Sequence, residues 1–438
     1  MELQPLKLSI AELYQLFKTC NGVSTDTRKI DKDCLFFALK GDKFNGNLFA
    51  KDALEKGAKY AVVDQADVAT DERFILVNDV LYTLQKLANF HRQHLSVPIV
   101  GLTGSNGKTT NKELIAAVLS KKFKTYATKG NLNNHIGVPL TLLQIDDTYE
   151  AAVVEMGANH QGEIRLLSGI TEPTHGFITN IGKAHLEGFG GIAGVRKGKG
   201  ELYDFLAMSG GTVFVHAQNA TLVEMHAERK FRESVFYMGE GETFLKANLI
   251  EDSPFCRYIA ENGKEYTSHL PGKYNFDNIT TALAIGKYFG VETDDANEAV
   301  SEYNPDNNRS QVVEKGSNSL ILDAYNANPS SMAASVQNFI NLKTDKKKVV
   351  ILGDMLELGE EAPAEHLAIG ELVAKGGFDT VVLFGELMQY ALPALPKAYY
   401  FTDKFSLHNW LIDKKLENAF VLIKGSRGVS LETTVQFL

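Results

Sequence analysis

Short apolar runs recur along the chain, and most of them end in polar residues. Between the runs lie stretches with the spacing of amphipathic helices. Strands that alternate with helices indicate βαβ units and a mainly parallel sheet. The pattern therefore predicts an α/β protein. The predicted strands are VPIVGL, CLFFAL, YAVVD, AAVVEMG, HGFITNIG and TVFVHA in the first two segments described below, and SLILDAYN, KVVILGD, TVVLFG, AYYFTD and AFVLIKGS in the last.

The same strand–helix pattern restarts after a polar stretch that contains a proline, Ser301 to Ser310, as is typical of a linker. A chain of 438 residues is also too long for one hydrophobic core and predicts two or three domains. We expect three: a mixed α/β domain over residues 1–95, a central domain over 96–308 with a mostly parallel sheet, and a further α/β domain over 309–438.

Composition and charge exclude several classes of partner. The formal net charge is −9, from 54 acidic and 45 basic side chains, and no block of Lys and Arg is long enough to follow a phosphate backbone, so nucleic acid is not expected. No apolar run approaches the roughly 18 residues of a membrane span, and the N-terminal residues do not resemble a secretion signal. Cys20, Cys34 and Cys256 fit neither a disulfide framework nor a zinc site. We expect a cytoplasmic protein without membrane insertion.

The stretch TGSNGKTT has the layout of a nucleotide-phosphate loop. Its spacing is shorter than the common G-x-x-x-x-G-K-[ST], because Leu102 stands five positions before Gly107 and the first glycine is Gly104. Backbone N–H groups at a helix N-terminus favour anions. Lys108 is expected to reach the phosphates and Thr109 to ligate Mg²⁺. A plain glycine turn is the alternative, and it is disfavoured because strand, Gly-Lys-Thr and helix coincide.

Two later strand ends carry side chains that suit a metal site. Glu155 ends the strand AAVVE, and His185 follows the strand in FITNIGKAHLEGFG. Taken singly, a solvated acid and a structural histidine are the commoner interpretations. However, ligands bind beyond the carboxyl ends of strands in open α/β sheets. We therefore expect both residues at the same sheet edge as the phosphate loop.

The stretch that follows is rich in glycine, with six between Gly188 and Gly200, and it contains Arg196, Lys197 and Lys199. This composition fits a flexible, solvated connection, and it also fits a basic loop that closes over phosphates or an anionic substrate. The residues alone leave both interpretations open.

The last third of the chain carries polar residues at two strand ends. Asp323 ends a strand, and Asn326 and Asn328 follow it in a strand-to-helix turn. Lys424 and Arg427 follow another strand and offer two cations. A second α/β domain whose strand ends face those of the first would suit a reaction between two substrates.

These motifs together resemble the Mur ligases of peptidoglycan synthesis. The compact TGSNGKTT loop is that family's form of the phosphate loop. The resemblance covers nearly the whole chain and implies an N-terminal mixed α/β uridine-nucleotide domain, a central P-loop ATPase-like domain with a mostly parallel sheet, and a C-terminal Rossmann-like α/β domain that binds the acceptor. Further matching stretches are STDTRKIDKDCLFFALKGDKFNGNLF, TKGNLNNHIGVPLTLL, VVEMGANHQGEI, LPGKYNFDNITTALAIG, LDAYNANPSSM, LGDMLELGE and KGSRG.

The resemblance implies ATP-dependent amide ligation in cytoplasmic peptidoglycan precursor synthesis. The stretch DAYNANPSSM and the absence of D-Y-A-H and D-N-P-R favour the branch of the family that adds D-alanyl-D-alanine to UDP-N-acetylmuramoyl-tripeptide. ATP and two Mg²⁺ ions are the implied cofactors, and a monomer is expected. The third residue of the tripeptide, diaminopimelate or lysine, stays open.

Matched by position, Lys108, Lys199 and His185 take the catalytic roles, and Lys199 corresponds to the lysine that the family carbamylates. A carbamate would turn that cation into an anionic oxygen ligand for a hard metal ion. The implied metal ligands are Thr109, Glu155, His185 and Lys199. The implied nucleotide contacts are Gly104, Asn106, Gly107, Lys108, Thr109, Thr110, Asn278, Arg309 and Asp323. The implied substrate contacts are Ser24, Thr27, Arg28, Lys40 and Asn45 for the uridine nucleotide, Asn133 and Asn134, and Asn326, Asn328, His366 and Arg427 for the incoming dipeptide.

The sequence departs from the family pattern at a few positions. D-G-H-x-F is replaced by NGNLF from Asn45, Thr27 stands where serine is usual, and Tyr274 stands where histidine is usual. Another Mur-type ligase and a folylpolyglutamate-type ligase are alternatives, and the first 95 residues disfavour the latter. A nucleotide-hydrolysing switch would have the standard loop spacing. An inactive binding protein is disfavoured by the competent side chains at the ATP site.

Overall fold

The computed structural model describes residues 7–438, which form three α/β units in chain order. The first unit contains helices α1 (Ile10–Phe17), α2 (Ala50–Glu55) and α3 (Val80–Gln93), a short 3-10 helix (Gly46–Phe49), and strands β1 (Val23–Ser24), β2 (Leu35–Phe37), β3 (Lys40–Gly41), β4 (Phe44–Asn45), β5 (Tyr60–Val63) and β6 (Phe74–Leu76). Its main sheet is parallel in the order β1-β2-β5-β6, and β3 pairs with β4 as a small hairpin.

The central unit is built on a six-stranded parallel sheet. Its strands are β7 (Ile99–Thr103), β8 (Thr125–Ala127), β9 (Ala151–Glu155), β10 (His175–Ile178), β11 (Thr212–His216) and β12 (Glu233–Tyr237), and its helices are α4 (Lys108–Ser120), α5 (Gly137–Leu142), α6 (Glu163–Thr171), α7 (Leu186–Phe189), α8 (Ile192–Ser209), α9 (Ala220–Ala227), α10 (Lys273–Tyr288) and α11 (Thr293–Glu302). The strand order is β12-β11-β10-β7-β9-β8.

A small antiparallel sheet in the central unit was not predicted from the sequence. It consists of β13 (Asn248–Glu251), β14 (Arg257–Ile259) and β15 (Glu265–Thr267), paired in that order. The strands are short and mostly exposed, so they lack the continuous apolar runs that identified the buried parallel strands.

The C-terminal unit repeats the α/β arrangement. Its elements are β16 (Gln311–Lys315), β17 (Asn318–Asp323), α12 (Pro329–Asn341), β18 (Lys347–Gly353), α13 (Ala362–Ala374), β19 (Thr380–Phe384), β20 (Tyr399–Phe401), α14 (Lys404–Lys414) and β21 (Ala419–Lys424), with short 3-10 helices at Gly359–Glu361, Leu387–Ala394, Arg427–Val429 and Leu431–Phe437. The sheet order is β16-β17-β21-β18-β19-β20, and only its edge strand β16 runs antiparallel to its neighbour. The predicted α/β class with mostly parallel sheets is confirmed, whereas the predicted domain limits at residues 95 and 308 stay a prediction.

The strand before the phosphate loop lies inside the central sheet. All five residues of β7 are buried, and β7 pairs with β9 on one side and β10 on the other. Helix α4 packs against α10, where a Cβ atom at Gly286 would lie 2.4 Å from Val118 Cγ1. The loop is thus carried between a fully buried strand and a closely packed helix, which makes it a rigid platform.

The glycine-rich stretch after His185 is helical, which corrects both interpretations of the sequence. It forms most of α8. A Cβ atom at Gly194 would lie 1.8 Å from the Phe189 carbonyl oxygen, and one at Gly198 would lie 2.5 Å from the Phe189 ring. These glycines therefore serve close packing against the preceding turn rather than mobility.

Among the described residues, no helix has both the length and the apolar character that crossing a bilayer requires.

Replacing Gly194 by alanine is expected to destabilise the central unit by about 1–3 kcal/mol, because the added methyl group would overlap the backbone of Phe189. The temperature of thermal unfolding should fall by roughly 2–4 °C per kcal/mol. Gly169→Ala is the matched control, because Gly169 lies on the exposed side of α6 and its added Cβ would meet no atom within 4 Å. That variant should be neutral or slightly stabilised. Equal unfolding temperatures for the two variants would contradict the close contact at Gly194.

Candidate functional site

A cleft of about 790 Å³ opens where the central and C-terminal sheets face each other. It lies beyond the carboxyl ends of strands from both sheets, which is where ligands bind in open α/β folds. The structure brings together many of the predicted site residues here. Those that line the cleft are Asn106, Gly107, Lys108, Thr109, Thr110, Asn133, Asn134, Glu155, His185, Asn278, Arg309, Asp323, Asn326, Asn328 and Arg427.

Two glycines give the phosphate loop its shape. Gly104 has a φ of 146°, and a Cβ atom there would lie 1.9 Å from Thr179 Oγ1. Gly107 has a φ of 77°, and a Cβ atom there would lie 2.7 Å from Asn278 Oδ1. Both positions combine a backbone conformation that favours glycine with a close neighbour, so a side chain would distort the loop.

The segment after β10 braces the phosphate loop. The Thr179 hydroxyl donates to the Asn106 carbonyl oxygen at 2.6 Å, and the Asn106 N–H donates to Asn180 Oδ1 at 3.1 Å. Ser105 Oγ donates to the Gly182 carbonyl oxygen at 3.0 Å and accepts the Gly182 N–H at 2.9 Å. The neighbouring strand end therefore holds the loop in one conformation.

Lys108 lies in the first turn of α4 and folds back over the loop. Its Nζ donates to the carbonyl oxygens of Gly104 at 2.7 Å and Ser105 at 3.3 Å. Burial lowers the pKa of Lys108 to about 8, and the negative charge of Glu155 partly offsets this effect. Thr109 follows directly and is buried. The cation and the helix N-terminus together create a site for an anion.

Glu155 ends β9 beside the loop and is 2% exposed. Asn133 Nδ2 donates to its Oε1 at 2.7 Å, whereas Oε2 is buried without a hydrogen-bond partner among the described residues. A buried carboxylate oxygen with no partner fits a divalent cation, because Mg²⁺ prefers oxygen ligands. Residues 7–438 contain no group of three or more His, Cys, Asp and Glu side chains placed to hold a metal. Phosphate oxygens and water would therefore supply most ligands, as is usual for Mg²⁺.

His185 contacts Glu357, which was not predicted from the sequence. Its Nδ1 is hydrogen-bonded to Oε2 of Glu357, from the loop after β18 in the C-terminal unit. This hydrogen bond lowers the pKa of Glu357, against the raising effect of burial. Glu357 follows a predicted strand end, so the rule that selected Glu155 and His185 could have found it.

Lys199 is fully buried in α8 and is not part of the cleft lining. Its Nζ donates to the Ala158 carbonyl oxygen at 2.9 Å and lies 4.8 Å from the centre of the Phe189 ring. Burial, followed by repulsion from Lys108, lowers the pKa of Lys199 well below its usual range. Ala158 itself lines the cleft, so the Lys199 amine is hydrogen-bonded to a residue of the cleft lining.

Asn278 and Asn134 also have structural partners. Asn278 Oδ1 accepts a hydrogen bond from Asn111 at 2.6 Å, and its Nδ2 donates to Asn275 at 2.9 Å. Asn134 Oδ1 accepts the N–H of Gly137 at 2.8 Å at the start of α5. Both side chains thus shape the wall of the cleft.

Asp323 faces the phosphate loop from the C-terminal unit. Its Oδ2 accepts hydrogen bonds from Lys424 Nζ at 2.5 Å and from Ser335 Oγ at 2.6 Å. Burial raises the pKa of this carboxyl, but the charge and hydrogen bond of Lys424 outweigh that effect, so the pKa is lowered. Asp323 is therefore an ionised acceptor at neutral pH.

Two arginines share one aromatic ring in the cleft. The guanidinium carbon of Arg309 lies 3.6 Å from the centre of the Tyr325 ring, and that of Arg427 lies 4.8 Å from it. Arg309 stands between Asn308 and Ser310, which have φ values of 56° and 49°, at the point where the chain enters the C-terminal unit. Tyr325 was not selected from the sequence, although it lies within the matching stretch LDAYNANPSSM.

Asn328 connects the two units. Its Oδ1 accepts the Ser331 N–H at 2.9 Å, which caps α12, and its Nδ2 donates to Asn106 Oδ1 at 2.7 Å. Asn326 lies two residues earlier, and its Oδ1 accepts the N–H of Ala327 at 2.9 Å. Asn328 thus contacts the phosphate loop, whereas Asn326 lines the cleft and is bonded within its own turn.

His366 does not reach the cleft, which corrects the prediction that it contacts the dipeptide. The residue has no exposed surface. Its Nε2 accepts the Met355 N–H at 3.1 Å, and its Nδ1 is bonded to the Ala362 carbonyl oxygen at 2.7 Å. Both ring nitrogens are used inside the unit, so His366 is a structural residue.

The five predicted uridine contacts lie in the first unit, away from the cleft lining. Ser24 Oγ donates to the Lys29 carbonyl oxygen at 2.9 Å, and Lys40 pairs with Asp64 at 2.8 Å. Asn45 caps a 3-10 helix. Arg28 is paired with Asp26 at 2.8 Å, and the carbonyl oxygen of Thr27 accepts a hydrogen bond from Lys56 at 3.1 Å. Their role in nucleotide binding stays a prediction.

Three sequence models of one family match consecutive parts of the chain. They describe the Mur ligase family catalytic domain over residues 19–92, the Mur ligase middle domain over residues 102–286, and the Mur ligase glutamate ligase domain over residues 308–427.

Relatives match over almost the full length. UDP-N-acetylmuramoyl-tripeptide--D-alanyl-D-alanine ligase from Bacillus subtilis is 34% identical over 95% of this chain and 93% of its own. A crystal structure of MurF from Acinetobacter baumannii has a TM-score of 0.87 and 30% identity and covers 100% of this chain and 99% of that one. MurF from Thermotoga maritima in complex with ADP has a TM-score of 0.82 and 26% identity over 96% and 97% of the two chains. The chain belongs to the Mur ligase family.

Proposed function

We propose that this protein is an ATP-dependent ligase that joins D-alanyl-D-alanine to UDP-N-acetylmuramoyl-tripeptide in the cytoplasm. The observation that carries the proposal is the cleft, in which a phosphate loop on one sheet faces the charged strand ends of a second sheet. A nucleotide-hydrolysing switch has no need of that second sheet, whereas a ligase must hold an acyl group and an amine together.

The reaction consists of two substitutions. The carboxylate of the tripeptide attacks the γ-phosphorus of ATP, the bond to the β-phosphate oxygen breaks, and ADP and an acyl phosphate form. The amine of the dipeptide then attacks the acyl carbon and loses a proton, and phosphate leaves as the amide forms. Each step spreads negative charge over oxygen atoms, so positioning and positive charge supply most of the catalysis.

The residues of the cleft can supply both positioning and positive charge. Lys108 and the N-terminus of α4 stabilise charge on the phosphoryl group that is transferred. Asp323 and Arg309 would hold the nucleotide from the opposite unit. Arg427, beside Tyr325, offers a cation for the carboxylate of the dipeptide. The acceptor side of the cleft is thus formed by the C-terminal unit.

Mg²⁺ supplies charge neutralisation on the phosphates and polarises the γ-phosphoryl group. Thr109 and the free Oε2 of Glu155 would hold one ion, and His185 would contribute to a second. The low pKa of Lys199 favours the neutral amine, which is the form that reacts with CO₂ to give a carbamate. The carbamate would then place a negative charge near Lys108, in place of the positive charge of a protonated Lys199.

The first unit is proposed to bind the uridine nucleotide through Ser24, Thr27, Arg28, Lys40 and Asn45. These side chains lie outside the cleft, so the long substrate would reach from the first unit to the phosphate loop. We further propose that the protein acts as a monomer.

Phosphate release from ATP and Mg²⁺ is expected to require both UDP-N-acetylmuramoyl-tripeptide and D-alanyl-D-alanine, because the acyl phosphate turns over only when the amine arrives. A colorimetric phosphate assay with each substrate omitted in turn measures this requirement, and mass spectrometry should show the pentapeptide product. Comparing tripeptides that end in diaminopimelate and lysine determines the third residue. Release that is indifferent to both peptide substrates would instead identify a nucleotide hydrolase.

Lys199→Ala is expected to lower kcat by about 10²–10³, the usual effect of losing one group that stabilises transition-state charge. Added short carboxylates should restore part of the activity, because they can occupy the space of the carbamate. With ¹³C-labelled bicarbonate, the wild-type protein should give a carbamate NMR signal that Lys199→Ala lacks.

Lys197→Ala is the control for this experiment, because Lys197 is exposed on the same helix. It should keep both the activity and the carbamate signal. Full activity of Lys199→Ala without bicarbonate would argue against the carbamate.

A further inference from the structure

His185 and Glu357 are hydrogen-bonded across the cleft although they are 172 positions apart in the chain. Both have left-handed backbone conformations, with φ values of 53° and 62°. Residues other than glycine rarely adopt this conformation, and it persists where the surrounding structure determines it, often at functional sites. The tertiary structure therefore brings this pair together against local preference.

Buried side chains of the C-terminal unit anchor the loop that carries Glu357. The Met355 N–H donates to His366 Nε2 at 3.1 Å, and the Leu356 N–H donates to Ser426 Oγ at 3.1 Å. The two N–H groups immediately before Glu357 are thus fixed by side chains that are almost fully buried. His366 therefore helps to hold the start of this loop in place.

The central unit contacts the same region through the segment around His185. The Glu187 N–H donates to the Glu357 carbonyl oxygen at 3.4 Å, and Lys183 pairs with Glu365 at 2.5 Å. The segment that carries His185 therefore touches the C-terminal unit on both sides of the histidine.

We propose that Glu357, supplied by the C-terminal unit, is a positioning residue that orients His185 for its metal ion. The inference rests on the proposed function, in which His185 ligates Mg²⁺. With Nδ1–H donating to a carboxylate, Nε2 keeps the lone pair that a metal requires. A carboxylate partner of this kind fixes the tautomer and orientation of a ligating histidine and raises its basicity.

Binding of Mn²⁺ tests the proposal without peptide substrates. Free Mn²⁺ is measured by electron paramagnetic resonance in the presence of a non-hydrolysable ATP analogue. Glu357→Ala should weaken Mn²⁺ binding at the affected site by about 10- to 100-fold, the range for loss of such a partner. Glu357→Gln should weaken it less, because the amide oxygen still accepts a hydrogen bond from Nδ1. Glu360→Gln is the matched control, because it removes a charge from an exposed position of the same loop, and it should bind normally.

A double-mutant cycle separates positioning from a general effect on stability. In a His185→Ala background, Glu357→Ala should change Mn²⁺ affinity by less than about twofold, because its partner is already absent. The same loss in both backgrounds would overturn the proposal. Normal Mn²⁺ affinity of Glu357→Ala would also overturn it, and a raised KM for D-alanyl-D-alanine in that variant would then identify Glu357 as an acceptor contact.

The binding experiment is independent of ligation. If the wild-type protein binds Mn²⁺ with the nucleotide and responds to Glu357→Ala but makes no pentapeptide, the proposed function fails and the positioning of His185 stands. If ligation proceeds and Glu357→Ala leaves Mn²⁺ binding unchanged, the positioning of His185 by Glu357 fails and the proposed function stands.

Discussion

Asn106 is bonded to both large sheets, and the geometry of the cleft depends on this junction. Its main chain is held by Thr179 and Asn180 at the end of β10. Its side-chain oxygen accepts a 2.7 Å hydrogen bond from Asn328, which also caps α12 of the other sheet. Asn106 therefore joins the phosphate loop both to the end of β10 and to the start of α12.

The sequence was sufficient to predict nine of the twelve strands of the two large sheets, all except the edge strands β8, β12 and β16, and many of the residues that line the cleft. Buried parallel strands appear in the sequence as continuous apolar runs. The residues that follow each run lie at the edge of the sheet where ligands bind. Glu155, His185, Asp323 and Arg427 were selected by this rule, and all four line the cleft. Such predictions succeed because the direction and burial of a parallel strand follow from its own residues.

The failures concern contacts between residues that are distant in the chain. The glycines of α8 suggested mobility, but their need for close packing against Phe189 depends on how the chain turns back. His366 was placed at the cleft because it matched the family by position, although its position on the inner face of α13 directs it to Met355. Glu357 contacts His185 of the central unit, and Tyr325 contacts Arg427 at the end of another strand. A hydrophobic pattern contains no information on which polar side chains will meet across an interface.

Lys108, Lys199 and Lys424 show how positive charge is distributed in and around the cleft. Lys424 has a counter-ion in Asp323 at 2.5 Å. Lys108 donates to main-chain carbonyl oxygens, and its pKa of about 8 reflects burial that Glu155 only partly offsets, so a triphosphate would supply the anion it lacks. Lys199 also donates to a carbonyl oxygen, and repulsion from Lys108 adds to burial in lowering its pKa. Loss of that proton removes the repulsion, and a carbamate would replace it with attraction. The positive charge of Lys108 thus favours the neutral form of the Lys199 amine.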